Sequence, residues 1–163
     1  MNIQRFITHP TSLSTIGKLY VNGEYYCDTE EFSLAGVTLS DNTESKIVLL
    51  KGCFKINVLF NNQYNMILPA ICDDEDSILA WIVDKNTVTI KGVEFTARNT
   101  NIRVGFFDSK MIMRCSQSTL KMLISMMKEA CFRGERIDIS CEYDQLEIES
   151  YYLDELALRG FPV

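Results

Sequence analysis

The sequence predicts an α+β fold: a mostly antiparallel sheet or small barrel, with one long amphipathic helix over about 116–133 packed on it and a short C-terminal helix. Three observations predict it. Everything before the helix reads as strands and turns, with several alternating segments bounded by Gly, Asn, Asp or Pro. Asn22-Gly23, the favoured dipeptide for a tight hairpin turn, sits between two such segments. The stretch SQSTLKMLISMMKEACFRG then places Leu120, Leu123, Ile124, Met127 and Cys131 on one face at helical spacing, with Lys121, Ser125, Lys128 and Glu129 opposite.

In chain order, residues 2–7 are a short edge strand and His9-Pro10-Thr11-Ser12 a loop. IGKLYVNGEYYC over 16–27 is the clearest hairpin, with Leu19 and Val21 alternating against Lys18 and Tyr20. Residues 28–45 are polar and irregular, a loop with a short β piece near 37–39. Ile47–Leu50 is a brief strand. In the next strand Phe54, Ile56, Val58 and Phe60 point one way, and Cys53, Lys55 and Asn57 the other. Met66–Cys72 is extended and broken by Pro69, and Asp73–Asp76 is an acidic loop. Strands follow over 78–84, 87–90, 93–97 and 102–107. Ser116 or Ser118 caps the helix, because a hydroxyl oxygen can accept from a first-turn amide, and Gly134 stops it. Past it, RIDISCE alternates again, with Ile137, Ile139 and Cys141 inward. Leu146 and Ile148 extend the sheet, and 150–159 is the short C-terminal helix, ended by Gly160 and Pro162. The whole is a single domain over 1–163, its core at about 16–148, with segment 150–163 docking on the same chain or on a neighbour.

The chain has 163 residues, 47% hydrophobic, with net charge −6. That length carries a full core without a metal or a disulfide. The acidity and the lack of a Lys/Arg cluster exclude a general nucleic-acid binder, which needs a basic face against phosphates. Six cysteines with no C-x-x-C pair lie mostly in apolar or strand-like runs, where thiols act as small hydrophobes; the reading is a reducing compartment with free thiols, and the even count leaves a secreted, bridged protein as the alternative. The start, MNIQRFITHP, has no signal-peptide pattern, and no apolar run approaches the length of a membrane span.

No set of residues carries catalysis. His9 is the only histidine, and it has no orienting partner in the sequence. Asp73, Asp74, Glu75 and Asp76 lack the ligand spacing and central glycine of a calcium loop. Asp28, Glu30 and Glu31 are a weak candidate for carboxylate chemistry. No catalytic, cofactor or metal residue is therefore assigned. Tyr20, Tyr25 and Tyr26 on the hairpin, with Tyr151, Tyr152 and Phe161 at the C-terminus, are the interface candidates, since tyrosine is enriched where proteins meet.

Three segments, IGKLYVNGEYYCDTEE, KGCFKIN and VEFTARNTNIRVG, together resemble a small uncharacterised family found in bacteriophages and Bacteroides-type genomes. Its pattern runs G-x-L-x-V-x-G, C-x-T-L-E, G-x-Y-x-V, I-H-x-G-N and G-C-I-x-V-G. Gly17, Leu19, Val21, Gly23, Cys27, Thr29 and Glu31 fit the first part. Gly52, Phe54 and Ile56 fit the second, and Ala97, Asn99, Thr100, Ile102, Val104 and Gly105 the third. The family's His and Cys have the layout of the peptidoglycan L,D-transpeptidases. Here Thr96 stands at the histidine position and Asn101 at the cysteine position, and neither supplies that chemistry.

The resemblance implies a phage-encoded, non-enzymatic structural or interaction protein, an auxiliary or minor component of the virion. Its partners would be virion proteins or itself, with no nucleic acid and no membrane insertion. It would stand in the host cytoplasm during synthesis and in the particle afterwards. The alternatives are a cell-wall-directed enzyme with a relocated site on Cys27 or Cys115, and an intracellular phage factor that binds a host protein or a small signal molecule.

Overall fold

The computed structural model describes residues 1–10, 14–32, 52–96 and 101–143. Among them are eleven strands: β1 Asn2–Pro10, β2 Ser14–Val21, β3 Glu24–Phe32, β4 Gly52–Asn61, β5 Met66–Cys72, β6 Ile78–Val83, β7 Thr87–Ile90, β8 Val93–Thr96, β9 Asn101–Phe107, β10 Met113–Arg114 and β11 Asp138–Tyr143. The helix among them is α1, Ser116–Phe132. The ring order is β9-β3-β2-β1-β11-β4-β5-β6, and β6 pairs back onto β9, so eight strands close into a barrel. This corrects the expected α+β class. The protein is mostly β, with a 17-residue helix against a closed barrel rather than a long helix laid across a sheet.

Two parallel pairings make the closure. β11 runs beside β1, with Ile3 opposite Ile139, and β6 runs beside β9, with Ile82 opposite Ile102. Closing the ring leaves those eight strands without an unpaired edge. The hairpin over 16–27 forms as read: Asn22 (φ 50°) and Gly23 (φ 86°) take the two positive φ values that a tight turn of this hand requires. β3 continues through Phe32, so residues 28–32, expected as loop, are strand. β1 likewise runs through His9 and Pro10. Pro69 does not break β5, where it stands opposite Val58. The expected strands at 37–39 and 47–50, Leu146 and Ile148, and the C-terminal helix at 150–159 lie outside the described residues.

The core fills the barrel from alternate strand positions. Ile3, Leu19, Cys27, Val104, Ile139 and Cys141 are fully or almost fully buried. In β4 only Ile56 of the expected inward set is buried; Phe54 and Val58 are half-buried and Phe60 is 56% exposed. Helix α1 starts beside the end of β9 and finishes near the chain start, where Glu135 pairs with the Met1 ammonium at 3.5 Å. It therefore crosses that end of the barrel and lays Leu120, Leu123, Ile124, Met127 and Ala130 on the core. Cys131, expected on this face, is exposed. The helix start also differs from expectation. Cys115 (φ 58°) stands at the cap position with no side-chain cap, and the Ser118 hydroxyl donates to the Cys115 carbonyl instead. At the far end the Gly134 amide (φ 74°) donates to the Cys131 carbonyl and the Glu135 amide to that of Ala130, which satisfies the last carbonyls.

The interior is not wholly apolar. Arg5, between Ile3 and Ile7 on β1, points inward and is fully buried. Its Nη2 donates to Glu31 Oε2 at 2.9 Å and its Nε to Thr29 Oγ1 at 3.4 Å. Burial pushes the Glu31 carboxyl up and the Arg5 charge pulls it back down. Arg5 and Glu31 sit on strands separated by β2, so the ion pair spans three adjacent staves. β2 leaves room for it with Gly17. A Cβ there would stand 2.5 Å from the Phe6 carbonyl oxygen and 3.0 Å from Thr29 Oγ1.

Two measurements follow. Glu31→Leu strands a buried guanidinium and lowers the unfolding free energy by about 3–5 kcal/mol in urea titrations, whereas adding Arg5→Met to it restores most of the loss. Gly105→Ala places a Cβ 2.6 Å from Met113 Cγ and 2.7 Å from the Arg114 carbonyl oxygen. It costs about 1–3 kcal/mol in the same titration by forcing β10 away from β9.

Candidate interaction surface

Strand alternation turns Phe6 out of the barrel, between the buried Arg5 and Ile7. The ring order β1-β2-β3-β9 then sets four aromatic side chains in a row on the outer wall. Phe6 meets Tyr20 edge-on at 5.5 Å between ring centroids. Tyr20 meets Tyr25 at 5.8 Å, and Tyr25 meets Phe106 at 6.5 Å. All three contacts are edge-to-face, the arrangement favoured by the ring quadrupole. An irregularity between Leu19 and Tyr20 makes the row possible, because it brings Tyr25 directly opposite Tyr20. Tyr25 and Phe106 are 49% and 38% exposed, and Phe6 and Tyr20 are half-buried.

Polar contacts lock the row. The Tyr25 hydroxyl donates to Asp28 Oδ1 at 2.8 Å, and Asp28 Oδ2 accepts from the Phe107 amide at 2.9 Å. Burial and the neighbouring Asp28 hold this hydroxyl well above the usual phenol range. It therefore stays a donor at any physiological pH. Beyond β9, Asp108 organises the turn to β10: its Oδ1 accepts from the amides of Lys110 at 2.8 Å and Ile112 at 3.0 Å, and its Oδ2 from Arg114 Nε at 3.1 Å. The same turn exposes Met111 and Ile112. Short polar tethers thus present several large apolar groups to solvent.

The other expected site residues fall elsewhere. Tyr26 leans against the helix, its hydroxyl donating to the Thr119 carbonyl at 2.6 Å. Tyr151, Tyr152 and Phe161 lie outside the described residues. The three carboxylates of β3 do not form one site. Asp28 holds Tyr25, Glu30 lies 3.9 Å from Arg103, and Glu31 faces the opposite way, into the barrel. In the acidic loop, Asp73 Oδ1 accepts from the amides of Glu75 and Ser77, and Asp76 pairs with Lys55 and accepts from Asn57; the run closes the β5–β6 hairpin.

All six cysteines are free. Cys27 is buried, and burial pushes its thiol up to about 12, the wrong direction for a nucleophile. Cys115 is exposed beside the start of α1. At the position where the resemblance has a cysteine, Asn101 is buried; its Nδ2 donates to the Tyr64 hydroxyl at 3.2 Å, which itself donates to the Lys85 carbonyl at 2.8 Å. Thr96, at the histidine position, ends β8. No group of three or more His, Cys, Asp or Glu residues clusters for a metal among the described residues. None of the helices described is long and apolar enough to cross a membrane.

Sequence reading clusters Tyr20, Tyr25 and Tyr26 and notes Phe106 separately, but does not place Phe6 or Phe106 beside the tyrosines. Phe6 and Phe106 join them only through the strand order, although the Arg5-Phe6-Ile7 alternation would have turned Phe6 outward once Arg5 was allowed inside. No family model matches this chain, and neither a curated protein nor a solved structure matches it.

The Asp108 carboxyl is held below the usual carboxylate range, first by the Ile112 amide and then by Lys110 and Arg114. A lowered folded value means its support of the turn is present above the ordinary carboxylate pKa and lost as pH falls through the lowered one. Amide exchange at Ile112 is expected to accelerate over that acidic window, and Asp108→Ala removes the protection at every pH.

Proposed function

We propose that this chain is a non-enzymatic interaction protein whose docking surface is the aromatic row Phe6–Tyr20–Tyr25–Phe106. The observation that carries the reading is the exposure of an ordered edge-to-face row on the outer barrel wall. Rigid aromatic side chains give large contact area at small entropic cost, and their polar tips tolerate solvent in the free state. The exposed Met111 and Ile112 extend the apolar character beside Phe106. The raised Cys27 thiol supports the non-enzymatic side of the reading.

The family resemblance supplies the narrower version: an auxiliary component of a phage particle, whose row packs against a virion protein or a second copy of the chain. A mass-spectrometric count of the chain in purified particles tests both levels. Wild-type chain is expected in the particle, and the folded variant Tyr20→Ser/Tyr25→Ser/Phe106→Ser at about a tenth of that count or less, as loss of interface anchors dictates. Equal counts for the two chains would sink the aromatic row as the docking surface. Absence of the wild-type chain would sink the particle reading.

A further inference from the structure

A groove of about 730 Å³ runs between α1 and the barrel, away from the aromatic row. Leu120 and Ile124 of the helix, with Met66 and Ile67 of β5, supply its apolar lining. Its polar lining is lopsided. Lys121 and Lys128 line it from the helix and Lys85 from the segment after β6, against the single carboxylate of Asp84. Lys121 and Lys128 stand seven residues apart, two turns along one side of the helix, which puts their Cα atoms about 10 Å apart along its axis.

Among the described residues these three cations, with Lys91 and Lys110, differ from the majority. Arg5, Lys55, Arg103, Arg114, Arg133 and Arg136 each lie within 4 Å of a carboxylate. Lys85, Lys121 and Lys128 make no ion pair among the described residues. A protein of net charge −6 therefore gathers three unpaired lysines around one apolar-lined groove. Tyr64 gives the lining a fixed polar edge: Asn101 and the Lys85 carbonyl hold its hydroxyl, and burial pushes that hydroxyl up to about 12.

The geometry points to an acidic, amphipathic peptide segment of another protein as the occupant of this groove. Its apolar side chains would enter between α1 and β5, and its carboxylates would face Lys121, Lys128 and Lys85. Charge complementarity decides the sign of the partner, and the apolar lining separates it from a simple polyanion. The volume lies in the range of sites that bury a few side chains rather than a whole domain face.

The test uses the full chain and a fluorescein-labelled peptide of about twelve residues in which Glu and Leu alternate, so that an extended strand carries acid on one side and leucine on the other. Fluorescence anisotropy is expected to show binding that weakens with added salt. A Lys–Leu peptide and a Glu–Ser peptide of equal length should each bind at least about tenfold more weakly. Lys121→Glu/Lys128→Glu, on exposed helix positions, should weaken the Glu–Leu peptide about tenfold or more, and the milder Lys121→Gln/Lys128→Gln pair by less. Amide shifts should map to Tyr64, Lys85 and 117–128. The triple aromatic-row variant should leave this binding unchanged, so failure here and failure of the aromatic row are read separately. Four results overturn the proposal: no binding, equal binding of the Lys–Leu peptide, equal affinity for free glutamate, and a wild-type dimer in sedimentation that the Lys→Glu pair dissolves, which would give the groove to a second copy.

Discussion

The pairing of β6 with β9 is the constraint on which the rest of the structure depends. It is a three-residue parallel contact, Trp81 to Val83 against Asn101 to Arg103, and it joins the last stave of the sheet to the first. Without it the sheet would keep two open edges, with their amides and carbonyls unpaired. With it the side chains of eight strands converge on one interior, and α1 packs its buried face on that core. Gly105 shows how tightly the end of β9 is drawn, since β10 and the start of α1 both lie within van der Waals distance of the space its side chain would fill.

The closure also explains the buried ion pair. In an open sheet, Arg5 would have a solvated route past its neighbours and its partner would matter little. Inside a ring it is enclosed on all sides, so Glu31 and Thr29 must meet its charge. Such a pair adds little net stability over well-packed hydrophobes, but its geometry ties β1 to β3 at one relative register. That register places Phe6, Tyr20 and Tyr25 in line on the opposite face of the same strands. The row outside and the charges inside are two sides of one alternation.

Local patterns in the sequence made several elements legible. Asn22-Gly23 named the first hairpin, the 3.6-residue spacing named α1, and RIDISCE named β11, because each signal is carried by neighbouring residues. The class was read wrongly because closure is carried by residues far apart. Trp81 and Asn101 pair across a two-stranded hairpin, and Ile3 and Ile139 across nearly the whole chain. Alternation also predicts direction better than depth. Phe54, Ile56, Val58 and Phe60 share a face of β4 as read, yet only Ile56 lies deep enough in the barrel to be buried. Of the surface, Tyr20 and Tyr25 were visible as a cluster. Phe6 and Phe106 were not, since nothing local says that β1 and β9 flank that hairpin.

Charge placement separates the two faces in kind. The aromatic row is held by a carboxylate, Asp28, which accepts from a hydroxyl and an amide, and the turn beside it by another, Asp108, which accepts from two amides and the Arg114 guanidinium. Those acids are already satisfied, so the row presents carbon to a partner. The helix groove is the reverse: its lysines meet no carboxylate among the described residues, and its one acid, Asp84, leaves Oδ1 enclosed without a hydrogen-bond partner. A partner for the row is selected by shape and apolar area, with little dependence on salt. A partner for the groove is selected first by charge and weakens as salt screens it. The two faces therefore differ in a property that one titration with salt can read, and a single ligand is poorly suited to both.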